Sequence, residues 1–215
     1  QRYIAGLREG ENGISIQSHN YYLQAVKGFC RWMVQDRRAS ESPLTHLKGL
    51  NVRTDRRHDR RALEPDEIRR LLEVTRQEPT RWKMTGPERA WLLQLAAESG
   101  LRSNEIRSLK VNSFDFDKCT VTVRASYSKR KREDTLPLKP DTAAELQRLF
   151  SGKLPDAQAF RMPSKSNVVR MLRQDLEAAG IEYQDAAGRF ADFHSLRHTT
   201  GSLLAASGVH PKVAQ

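Results

Sequence analysis

Gly100-Leu101-Arg102-Ser103-Asn104-Glu105-Ile106-Arg107-Ser108-Leu109 stands between two helical patterns. Before it, residues 87–99 are apolar on several sides (Trp91, Leu92, Leu95, Ala96), the mark of a central helix. Gly100 is a natural C-cap for that helix, because glycine enters the left-handed region without a Cβ penalty. After it, Ser103 is a candidate N-cap for a helix carrying Ile106 and Leu109. Arg102 is thereby held in a tight turn near a helix N-terminus, where backbone N–H groups and a guanidinium together suit an anion. The same arginine would serve equally as a surface residue or as the partner of Glu105.

Working outward, Pro65 opens a helix with Ile68, Leu71 and Leu72 on its buried side. Thr120 to Arg124 alternates like a strand, and Thr135 to Leu138 gives a second, with a basic hairpin tip between them. Helices follow from Pro140 through Phe150, from Ser164 to about Ala179 with Gly180 as the stop, and from Ser195 to Ala206, ended by Gly208. The class is mainly α with a small antiparallel β-sheet (α+β). Towards the amino terminus, residues 16–35 read as an amphipathic helix with Tyr22, Val26, Phe29 and Met33 in one stripe, widened by Leu23 and Cys30, and with Ser15 as N-cap. Pro43 and Leu44 open a short turn. Residues 51–62 are nearly devoid of apolar side chains, and Arg53, Arg56, Arg57, Arg60 and Arg61 outnumber the two acids there. Such a run cannot bury itself and reads as a linker, either lying along phosphates or simply solvated.

The chain has 215 residues with 37 Lys and Arg against 26 Asp and Glu, a net charge of +11. Of those 37 cations 26 are arginine, the better bidentate phosphate ligand. The surplus favours a polyanion through counterion release; a ribosome-associated or membrane-surface protein would carry a similar one. No run approaches the ~20 apolar residues of a membrane span. Cys30 and Cys119 are far apart, match no metal-ligand spacing and read as reduced, which fits the cytoplasm. The histidines likewise show no metal-ligand spacing.

Two further places combine basic side chains with special positions. The hairpin tip Ser128-Lys129-Arg130-Lys131-Arg132 is either a reach into a DNA groove or a solvated turn. In Asp192-Phe193-His194-Ser195-Leu196-Arg197-His198, His194 and Arg197 share a face if both lie in the first helical turn. A proton-exchanging imidazole beside a permanent cation suits phosphoryl transfer. A buried structural histidine is the alternative, and the reading preferred for His198.

Taken in order, G-L-R-x-x-E-I-x-x-L at Gly100 to Leu109, Lys129 eight residues before Pro137 in a Leu-Pro-Leu strand, and H-x-L-R-H at His194 to His198 resemble the tyrosine recombinases, the phage integrase family. The resemblance implies a partial helical core-binding domain over residues 1–50, a basic linker over 51–62, and a catalytic domain over 63–215. It implies that Arg102 and Arg197 hold the non-bridging oxygens of a scissile phosphate, that Lys129 (or Lys131) protonates the departing 5′ oxygen, and that His194 assists as base or hydrogen-bond donor. Glu105 and His198 would support them, and Arg53, Arg56, Arg57, Arg60, Arg61, Arg130, Lys131 and Arg132 would contact DNA. The expected partner is double-stranded DNA, with no metal and no cofactor, since the energy of the cut bond is kept in a 3′-phosphotyrosyl link. The family acts as tetramers on DNA; this chain alone is expected to be a monomer.

One departure stands out. The family's nucleophilic tyrosine follows the second arginine by a few tens of residues, whereas Tyr3, Tyr21, Tyr22, Tyr127 and Tyr183 all precede Arg197. The expectation is a piece cut from a longer protein, stopping inside a helix begun at Pro211, and inactive alone. A type IB topoisomerase-like enzyme and a catalytically silent DNA-binding module of the same fold are the alternatives.

Overall fold

The computed structural model describes residues 2–129, 131–206 and 208. The chain divides at the Asp59–Arg60 bond into two compact units. The helix expected from Pro211 lies outside the described residues.

The first unit contains α1 (Arg2–Gly6) and α2 (Ile16–Gln35). Ser15 caps α2, its Oγ accepting the Ser18 N–H at 3.1 Å. The helix buries Ile16, His19 and Leu23. The apolar stripe stays largely uncovered: Tyr22 is 50% and Phe29 57% exposed. The reason is polar anchoring from the other side. The Asn20 amide exchanges two 2.9 Å hydrogen bonds with the Leu50 backbone, and the Lys27 ammonium donates to the Leu47 carbonyl at 2.7 Å. Segment 45–50 therefore covers the Asn20–Leu23–Lys27 face and leaves the aromatic face open. Residues of the basic stretch close the front of α2, with Asp55 accepting the Ile16 N–H at 2.7 Å and Arg57 donating to the Gly13 carbonyl at 2.6 Å.

In the second unit, α3 (Pro65–Gln77) begins at Glu64, whose N–H is accepted by Glu67 at 2.9 Å. α4 (Gly86–Ser99) is capped by Thr85 and buries Leu92, Leu93, Leu95 and Ala96, so it runs through the core as its pattern required. α5 (Ser103–Ser108) follows the Gly100 turn. Its N-cap is Arg102 rather than Ser103, because the Glu105 carboxylate reaches back to the Arg102 N–H and does the capping itself.

Three strands, β1 (Phe114–Asp115), β2 (Thr120–Val123) and β3 (Asp134–Pro137), form an antiparallel sheet in the order β1-β2-β3. β1 was not expected; two residues are too few to show alternation. β2 and β3 each end one residue earlier than their patterns suggested, with Thr120 paired to Pro137, a proline tolerated because β3 is an edge strand. Phe114, Phe150 and Phe160 meet behind the sheet at ring separations of 5.2 and 5.5 Å. The remaining helices are α6 (Pro140–Leu149), α7 (Lys165–Ala178) and α8 (Ser195–Ala206). α3, α6 and α8 all pack on α4, and α7 on α3.

The core also holds an ion pair. Arg89 of α4 and Asp175 of α7 are both 0% exposed. Arg89 Nε donates to Asp175 at 3.0 Å, while its Nη1 donates to the carbonyls of Pro79 and Met84. Arg81 adds a contact to Asp175 at 3.2 Å. Removing one partner strands the other in a dry site. Arg89→Met should cost about 3 kcal/mol in urea unfolding, and Arg89→Met/Asp175→Leu substantially less. A double variant as unstable as the single one would mean that the hydrogen bonds to Pro79 and Met84, not the charge pair, matter there.

Candidate functional site

The Gly100 turn organises the site. Its φ of +64° is left-handed, and a Cβ there would come within 3.3–3.4 Å of the Thr200 side chain on α8. Thr200 Oγ1 donates to the Ala97 carbonyl at 2.7 Å, binding α8 to the end of α4. The Arg197 guanidinium donates to the Gly100 carbonyl. Two residues on, Arg102 donates from Nη1 to Glu105 Oε1 at 2.8 Å, with 35% of its side chain still exposed against 6% for Glu105. Arg102 thus keeps part of its guanidinium for a ligand while its orientation is fixed.

The hairpin loop is pinned at its base. The Arg124 carbonyl accepts the Tyr127 and Ser128 N–H groups at 3.0 and 3.2 Å, and Ser128 Oγ donates to Asp134 at 3.2 Å. Lys129 and Lys131 beyond this base are exposed, and Lys131 sits at φ +56°. Arg132 is paired to Asp134 at 2.7 Å. Arg130 lies outside the described residues.

At the start of α8, His194 precedes the helix instead of lying within it; its carbonyl accepts the N–H groups of Arg197 and His198. His198, expected to be buried, is exposed and meets the His194 ring edge-on at 5.3 Å. Turning outward at the fourth position of α8, it has no core to enter. Partial desolvation, then the positive charges of Arg60, His198 and Arg197, hold the His194 imidazole below its ordinary value, against the opposing pull of Asp192. Its protonation therefore works against the folded site: the contribution is full above about pH 6.5 and is lost as pH falls through the lowered value.

Arg102, Lys129, Lys131 and His194, from three separate parts of the second unit, line one cleft of about 700 Å³. Arg197 is not among the described lining residues; it borders the cleft, donating to the carbonyl of Gly100, the residue before Leu101 in the wall. Three wall residues escaped the sequence reading. Lys165, the first residue of α7, adds a cation, Tyr127 an aromatic face and Asp192 a carboxylate. Asp192 lay within the quoted Asp192–His198 segment; nothing local distinguishes Lys165 from other surface lysines. Among the described residues no group of His, Cys, Asp and Glu could hold a metal ion. A larger groove, about 1090 Å³, lies along α2 in the first unit and is lined by Lys27, Arg31 and Lys48, with no histidine or acid beside them.

The arginines of the basic stretch differ among themselves. Arg53 is exposed, and Arg56 is 63% exposed with a loose 3.7 Å contact to Asp59. Arg57 pairs with Asp55 at 2.7 Å, Arg60 with Asp192 at 2.7 Å, and Arg61 with both oxygens of Glu67 at 2.6 and 2.9 Å.

Known proteins share this architecture. Tyrosine recombinase XerA of Pyrococcus furiosus is 23% identical over all of this chain and 68% of its own length. Tyrosine recombinase XerC of Xanthomonas axonopodis pv. citri is 30% identical over 93% of the chain and 63% of its own. The chain thus spans about two thirds of these relatives. Among solved structures, the Tn1549 transposon integrase in complex with transposon right end DNA superposes with a TM-score of 0.74 at 16% identity, covering all of this chain and 74% of that one. A lambda integrase dimer bound to a COC′ core site gives 0.66 at 16%, covering 93% and 55%. The family model described as the phage integrase family matches residues 61–215, the whole span that carries the cleft, and the chain belongs to that family, the tyrosine recombinases.

Proposed function

We propose that this chain grips duplex DNA and supplies most of the active site of a site-specific recombinase, which cuts and rejoins strands through a 3′-phosphotyrosyl intermediate. The observation that carries the reading is the shared cleft, in which side chains far apart in sequence (Arg102, Lys129, His194) line one cation-rich space. In this reading Arg102 and Arg197 bind the non-bridging oxygens and offset the charge that builds on phosphorus. Lys129, or Lys131 beside it, protonates the departing 5′ oxygen. His194, held towards its neutral form, accepts or relays a proton. The attacking tyrosine is supplied by sequence outside residues 1–215, and the assembled enzyme works as a tetramer on its DNA. A protein of this kind works in the cytoplasm, on the nucleoid; no helix among the described residues is long and apolar enough to cross a membrane.

DNA contact outside the cleft falls in this reading to the exposed Arg53, Arg56 and Arg132, joined by Lys131 at the cleft edge and by Arg130, with Arg57, Arg60 and Arg61 serving first to order their own chain. If these and the cleft engage ~5 phosphates, the log–log dependence of duplex affinity on salt should have a slope of about −4 to −5. Affinity that does not change between low and moderate salt would remove the electrostatic case.

The chemistry is tested with a duplex nicked beside the cut site, which traps a covalent complex on a denaturing gel. A version carrying the family's tyrosine-bearing tail should form the adduct and residues 1–215 alone should not. Arg197→Ala in the longer version should abolish the adduct with only modest loss of DNA binding, because its contact matters most in the transition state. An adduct from residues 1–215 would identify one of the five tyrosines as the nucleophile and overturn the assignment of roles. Absence of an adduct from the longer version on DNA it binds would leave a silent binding module.

A further inference from the structure

The cleft contains two acids among its described lining residues, Glu105 and Asp192. An unneutralised carboxylate in a phosphate site repels its ligand. Glu105 is held by Arg102, itself part of the site. Asp192 is held by Arg60, 132 residues away in sequence and the first residue of the second unit.

The contact is built rather than incidental. Asp192 is 9% exposed. Its Oδ2 accepts Arg60 Nε at 2.7 Å, and its Oδ1 accepts the Ser195 N–H at 3.1 Å, which caps the start of α8. Ser195 is fully buried, and its Oγ donates to the Phe190 carbonyl at 2.9 Å. The chain after Arg60 runs along the same segment: the Arg61 N–H donates to the Phe190 carbonyl at 3.1 Å, and the Leu63 N–H to Thr199 Oγ1 at 2.8 Å. Residues 60–63 thus form a strap across the start of α8, where His194 and Arg197 are set.

We propose that Arg60 and Asp192 are a positioning pair for the cleft, with Arg60 neutralising Asp192 and fixing the start of α8 through it, and not a ligand of DNA phosphate. The pair rests on the reading of the cleft as a phosphate-transfer site. Asp192 without Arg60 would turn more of its negative charge on both the phosphate and His194. Arg60 without Asp192 would leave a bare cation beside the imidazole.

The test reads His194 by NMR titration of its ring protons in the chain itself. The charged groups around that imidazole are Arg60 from the strap, and Asp192, Arg197 and His198 from its own segment. Across the cleft stand Arg102 and Glu105 of α5, Lys129 and Lys131 of the hairpin and Lys165 of α7. With those unchanged, Arg60→Gln should raise the His194 midpoint, since a cation is removed, and Asp192→Asn should lower it, since an anion is removed. A merely structural tie would expose the ring in both variants and move both midpoints upward, and that result overturns the proposal. If Arg60→Gln does not fold, the direction of the Asp192→Asn shift alone decides. Arg60→Lys, which keeps the charge, should hold the midpoint near the parent's. The second readout is the salt slope of binding to a duplex oligonucleotide, expected to be unchanged by Arg60→Gln. A slope shallower by about 0.9 would make Arg60 a direct phosphate ligand and overturn the proposal. Neither readout depends on strand cleavage, so a failure here is distinct from a failure of the recombinase reading, which the adduct experiment decides.

Discussion

At the end of α4 the chain must reverse within one residue and still leave a carbonyl for Arg197 to hold. Gly100 meets both demands, because its left-handed φ ends the helix and its missing Cβ admits Thr200 of α8. From that close approach the rest follows. α8 is bound to α4 through Thr200 and Arg197, α5 departs with Arg102 at its cap, and two guanidiniums far apart in sequence are delivered to one junction. Any larger residue at position 100 would be strained at this φ and would press its Cβ against Thr200. The tight turn is therefore a condition on the chemistry as much as on the fold.

The second unit handles charge in the same economical manner. Its acids near the site are not scattered on the surface but answered one by one, Glu105 by Arg102, Asp192 by Arg60, Glu67 by Arg61 and Asp134 by Arg132. The surplus that gives the chain its net positive charge is left on exposed side chains such as Lys129, Lys131 and Lys165. Such partly buried pairs lose much of their attraction to desolvation; their effect is orientation. An arginine tied at one edge by a carboxylate presents its remaining N–H groups in a fixed direction, which is what recognition of a tetrahedral anion asks of it.

Much of this was legible locally. Caps, periodicity and turn chemistry placed α2, α4, α7 and α8 to within a residue or so, and the three motifs named the side chains that line the cleft or border it. What the sequence hid is what depends on long-range partners. The Arg89–Asp175 pair joins positions 86 apart, and nothing near either residue announces that both are dry. Arg60 looked like its neighbours in an arginine-rich linker until its partner, Asp192, was in place. The stripe on α2 is legible as apolar, but which face the neighbouring segment covers is not, because hydrophobic periodicity says which faces exist and not which one that segment chooses. β1 was invisible because two residues carry no period.

The arrangement also bears on whether the cleft binds or reacts. A module that merely held phosphate would gain from every cation and from none of the acids, and it would have no use for an imidazole that protonates less readily than usual. Here two carboxylates stand at the wall, each at the cost of an arginine's freedom, and the histidine is held below its ordinary value by partial burial and then by the cations around it. These features weaken ground-state attraction and sharpen geometry. On the proposed reading that exchange is what differential binding requires: contacts set for the charge and shape that phosphorus acquires during transfer rather than for the resting diester. A silent descendant would be under no pressure to keep Asp192 clamped beside His194, and loss of either side chain would leave its hold on DNA nearly intact.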